Sequence, residues 1–128
     1  MNGTTGGDTV QLGKNIHGLF NEADQTKGSS SLSETVVTPG ANHGEAALFN
    51  QTLNELNDAN PTTLNDNAGP IGPGDATWAF EWDFTIAAGS SVGISKDKYL
   101  SIGTVPEPSV LALISLGLLA FGVQRRRS

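Results

Sequence analysis

Residues 77–86 read TWAFEWDFTI, and every second one is large and apolar: Trp78, Phe80, Trp82, Phe84 and Ile86. Thr77, Ala79, Glu81, Asp83 and Thr85 fill the gaps. Successive side chains of a strand point to opposite faces, so this spacing puts five large apolar groups on one side. Such a side needs a second layer to cover it. "AAGSS" then supplies a turn, and "VGISKDKYLSI" returns with Val92 and Ile94 on one face. The two stretches read as a β-hairpin.

Upstream, residues 1–44 read as short strand-like pieces broken by turns. Val10 and Leu12 alternate with polar neighbours, and Ile16, Leu19 and Phe20 form a small apolar group. "KGSSS" reads as flexible, and "ETVVTPG" as a short β-prone piece stopped by Pro39-Gly40. The best helical pattern is "GEAALFNQTLNELNDANP": Phe49, Leu53 and Leu56 fall at i, i+4 and i+7, Glu45 occupies the first turn, and Pro61 prevents extension. "LNDNAGPIGPGD" is dense in Gly, Pro, Asn and Asp and reads as a loop. The 16 glycines favour turns and β structure. The fold class expected is mainly β: a sandwich-like body with a short helical insertion, followed by one C-terminal membrane-spanning helix.

Charge and composition exclude several classes of function. The chain of 128 residues carries a formal charge of −6, and without Arg125, Arg126 and Arg127 the remainder carries −9. A body that acidic repels phosphate backbones, which argues against nucleic acid as a partner. With no cysteine, disulfides and thiolate chemistry are ruled out. Glu81 and Asp83 lie at i and i+2, about 7 Å apart, within the span used by inverting glycosidases. A solvated outer strand face explains them better, so no catalytic residue is assigned and the protein is read as a non-enzyme. His17 and His43 stand without ligand spacing, "NDNAG" lacks the spacing and terminal Glu of an EF-hand, and the prolines of "GPIGPG" remove the amides a phosphate loop needs. No cofactor or metal is expected. Trp78 and Trp82 suit either core packing or a sugar-stacking platform, and core packing is the expectation.

The last residues are of another kind: "VPEPSVLALISLGLLAFGVQRRRS". Residues 110–123 hold no charge, and Leu111, Leu113, Ile114, Leu116, Leu118, Leu119 and Phe121 would surround a helix axis and leave no polar face for water. Fourteen residues give about 21 Å of helix against about 30 Å of hydrocarbon. The segment therefore inserts marginally, which suits a span held briefly. Arg125, Arg126 and Arg127 follow at once, and basic residues stay on the cytoplasmic side. The C-terminus is then cytoplasmic and the body outside. Pro106 and Pro108 fix their own φ and push Val105 and Glu107 toward extended backbone, the form in which a processing enzyme reads a peptide.

This order of motif, oily span and arginine cluster resembles the PEP-CTERM sorting signal of Gram-negative bacteria. The residues that carry the likeness are Pro106, Glu107 and Pro108, the span 110–123, and Arg125 to Arg127, with Val105 opening the motif. "WAFEWDFTIAAGSSVGISKDK" also looks like ectodomains that bear such tails. The resemblance implies export through a signal peptide and processing near the motif by the membrane enzyme exosortase. It further implies transit through the inner membrane, a cell-surface or secreted fate, and a link to extracellular polysaccharide and biofilm matrix. The expected organisation is a β-rich extracytoplasmic body over 1–104 and a sorting signal over 105–128. "MNGTTGGDTVQLGKNIHGLF" has no basic start and no apolar core, so the body is expected to lack its N-terminal part and signal peptide. The alternative role for the body is a membrane-anchored carbohydrate-binding module.

Overall fold

The computed structural model describes residues 7–103. Three strands come first: β1 Asp8–Lys14, β2 Phe20–Lys27 and β3 Ser30–Thr38. β4 His43–Leu48 runs directly into helix α1 Phe49–Leu56, and β5 Ile71–Gly74, β6 Ala76–Glu81 and β7 Ser95–Ser101 complete the order. Five strands form an antiparallel sheet, β5-β1-β2-β3-β7, and β4 pairs antiparallel with β6 as a second sheet. The described chain is thus mainly β with one short helix. The expected membrane-spanning helix lies outside the described residues.

The core sits where the smaller sheet covers β1 and β2. Val10 and Leu12 turn inward from β1, as their alternation predicts, and meet Ala23, Phe20, Ala41, Ala46 and Ala76. Phe20 is the largest fully buried side chain. β4 presents Gly44 to it, and a Cβ at Gly44 would come within 2.8 Å of the Phe20 ring. Only glycine permits that approach without a shift of ring or backbone. The apolar group expected around Phe20 does not hold together: Ile16 is 96 % exposed while Phe20 is fully buried.

Several local expectations give way to non-local pairing. Glu45 does not open a helix; it lies in β4, opposite Ala79 of β6. The helix begins only at Phe49, and its stripe of Phe49, Leu53 and Leu56 faces solvent while Thr52 is buried. The six ladder positions gained by β4 with β6 outweigh one more helical turn, because tertiary pairing overrides local propensity. The expected strand over 77–86 stops at Glu81, where its partner β4 begins at His43. Asn42 Oδ1 accepts the amide of Asp83 at 3.0 Å, and Phe84 and Ile86 lie beyond the ladder and are exposed. The expected hairpin is not formed. β6 pairs with β4, and β7 pairs with β3. Val92 and Ile94 precede β7 and are exposed.

Two expected loops also contain strand. The turn at Gly28, with φ of 57°, leads straight into β3 at Ser30. "IGPG" forms β5 against β1 at the margin of the larger sheet, where a strand tolerates proline.

Candidate functional site

The same alternation that defines β6 builds one wall of a groove. Trp78 and Phe80 turn inward opposite Ala46 and Gly44, whose small size leaves room for the rings. Trp82 follows just past the strand and is fixed by its indole Nε1, which donates to the carbonyl of Pro39 at 3.0 Å. The Phe80 and Trp82 centroids are 6.1 Å apart at 66°, an edge-on contact that holds both rings in place. All three aromatics pack partly on the core and remain half-buried.

The facing wall comes from the larger sheet. Residues directly opposite in a ladder share a face. Ala23 is opposite Glu34, and Glu34 is opposite Lys98, so the row that begins in the core runs outward to two charges. Lys96, opposite buried Val36, stands on the same face. Glu34 is only 3 % exposed, and each of its oxygens takes one ammonium at 3.0 Å, Oε1 from Lys96 and Oε2 from Lys98. Burial opposes its charge, but the two lysines outweigh burial and hold the carboxyl below its ordinary value. Between the two walls lies a groove of about 270 Å³. It is lined by aromatic side chains on one side and ammonium donors on the other. That combination can hold a ring with apolar faces and a polar rim.

Elsewhere the acidic residues do structural work. Glu81 Oε2 accepts the amide of Leu64 at 2.8 Å and ties the following loop to β6. Asp83 Oδ2 lies 3.7 Å from His43 Nε2, and His43 Nδ1 is 3.1 Å from Asp66 Oδ1. Glu81 and Asp83 are therefore engaged separately, and His43, which the sequence leaves isolated, bridges two carboxylates. His17 stays at an exposed turn, its amide bonded to Asn15 Oδ1. Among the described residues, no three His, Cys, Asp or Glu side chains gather as a metal site. Glu45 is fully buried. Burial and the adjoining Glu55 carboxyl push its pKa up, against smaller opposing effects of the Asn65 amide and the Thr52 hydroxyl.

Sequence reasoning finds the aromatic wall but not the charged one. Glu34, Lys96 and Lys98 sit at period-two positions in "SETVV" and "SKDKY", a pattern visible in the chain. The β3–β7 register that brings them together is not. Val105, Pro106, Glu107 and Pro108, the apolar residues from Leu111 to Phe121, and Arg125 to Arg127 lie outside the described residues.

The described part is a β-rich body, and the part that follows it is an address. Residues 104–127 match the PEP-CTERM protein-sorting motif. The chain carries that sorting signal, which marks it as an exported protein targeted to exosortase, with a surface or secreted fate. No curated protein and no solved structure matches the chain.

Proposed function

We propose that the protein is a non-enzymatic component of the cell surface or extracellular matrix, delivered by exosortase processing of its tail. The motif match over residues 104–127 carries this reading. In it, residues 110–123 span the inner membrane in transit, the arginines hold the C-terminus in the cytoplasm, and cleavage falls near Val105–Pro108. The engagement of Glu81 with Leu64 and of Asp83 with His43 supports a structural role for both acids. The test is the intact mass of the surface form, made behind a functional secretion signal in a host that has exosortase. A mature form that has lost Arg125, Arg126 and Arg127 is expected. A surface-exposed form that retains all three overturns processing.

A second reading concerns the body alone, and the two are compatible: a carbohydrate-binding module. The groove between Trp78, Phe80 and Trp82 and the charged row of β3 and β7 favours it. Half-buried rings that line a groove suit a sugar-stacking wall. Extracellular polysaccharide is the partner class in this reading.

A further inference from the structure

The charge balance of the groove narrows its ligand. Glu34 carries one negative charge and is shared by two lysines, so the row keeps one positive charge in excess. The rest of the body is acidic, and without the terminal arginines the chain stands at −9. Each ammonium has three donors and gives one to Glu34. Lys98 is 61 % exposed and Lys96 40 %, so their remaining donors are open to a ligand. The buried carboxylate fixes both lysine heads beside the rings, so less side-chain entropy is lost on binding.

We propose that this groove binds a carboxylated polysaccharide, a chain containing uronic acids. A sugar ring lies against the wall of Trp78, Phe80 and Trp82, and its carboxylate is taken by Lys98 and Lys96. A polyanion without sugar rings gains the lysines but not the stacking, and the acidic body repels it. A neutral glycan gains the stacking and leaves the excess positive charge unanswered. The proposal rests on the carbohydrate-binding reading of the body.

The chain has two tryptophans, and both line the groove, so its tryptophan emission reports on this site alone. The full chain, its apolar tail held in a mild non-ionic detergent, is titrated with polygalacturonate, dextran and polyglutamate at moderate salt. Polygalacturonate is expected to shift or quench the emission, about tenfold more tightly than dextran, with polyglutamate weaker still. Lys98→Gln, at an exposed position, is expected to weaken polygalacturonate about fivefold and dextran by clearly less. Trp78→Leu keeps an apolar side chain on the core and removes a flat face; a folded variant is expected to lose about tenfold on polygalacturonate. If Trp78→Leu unfolds, Lys98→Gln decides alone. Equal binding of dextran and polygalacturonate, unaffected by Lys98→Gln, overturns the uronate inference and leaves carbohydrate binding standing. Polyglutamate binding as tight as polygalacturonate overturns the inference as simple charge attraction. No response to either glycan overturns both the inference and the reading beneath it.

Discussion

At the scale of residues, two buried glutamates oppose each other across the pH scale. Glu45 is fully buried against Glu55, and its pKa is raised, first by burial and then by its neighbour. A carboxyl with a higher pKa in the folded chain than in the unfolded one, where it is about 4.3, binds more protons when folded. Its contribution therefore grows as pH falls through the folded value and is lost as pH rises through it. Glu34 behaves in the reverse sense. Burial raises its pKa but Lys96 and Lys98 lower it further, so the net value falls. Its contribution is complete above the unfolded value and disappears as pH drops through the folded one. Thermal melts from pH 3 to 9 are thus expected to peak in mild acid. Glu45→Gln removes the repulsion and the alkaline decline, and stabilises the fold by about 1 kcal/mol at neutral pH. Glu34→Gln leaves two lysines without their shared partner and costs about 1–2 kcal/mol at neutral pH, with less acid sensitivity. A Glu45→Gln profile identical to that of the parent chain refutes the first expectation.

At the scale of elements, β4 and α1 show what local pattern conveys and what it misses. The alternation of Trp78, Phe80 and Trp82 is legible because a strand's faces follow from neighbouring residues alone. So is the inward turn of Val10 and Leu12. The i, i+4, i+7 stripe of Phe49, Leu53 and Leu56 is equally clear, yet it points to solvent. Ala46, Ala47 and Gly44 carry no strong signal of either period, and β6 claims them across thirty or more residues of chain. Strand partnership has the same cause. Hairpin logic joins β6 to β7, whereas β7 pairs with β3, where Lys96 and Lys98 meet Glu34. The aromatic half of the groove can be read from one segment, and the charged half needs two distant ones in register. A pair of substitutions separates pattern from structure. Leu53→Gln breaks the stripe but touches an exposed side chain, and it is expected to change stability by no more than about 0.5 kcal/mol. Gly44→Ala adds one methyl group against Phe20 and is expected to cost about 1–3 kcal/mol. Urea unfolding of both variants checks the order. A larger loss for Leu53→Gln than for Gly44→Ala would put the helix stripe back in the core.

At the scale of the whole molecule, body and address are written in different physical terms. The described residues, 7–103, are held by non-local pairing around Phe20. The sorting motif over 104–127 depends on composition and order along the chain, which is why it is legible without any fold. The two should therefore fail separately. In the proposed topology, Arg125, Arg126 and Arg127 keep the C-terminus at the cytoplasmic surface, each by about 1 kcal/mol against anionic lipid, so three together amount to roughly a hundredfold bias. Replacing all three with Glu is expected to reduce the processed fraction by at least about tenfold in a host with exosortase, even if half that bias survives through other contacts. The purified variant should melt within about 1 °C of the parent, since the core is built from residues between Val10 and Trp82. The converse substitution is Gly44→Leu, whose side chain cannot share space with Phe20. It is expected to unfold the body while the tail is still cut. Pulse-chase labelling of both variants, with intact mass for the cut product, measures each outcome. If the glutamate variant is processed at the parent's rate, the arginines do not set orientation. If unfolding the body also stops cleavage, exosortase reads more of this chain than its last residues.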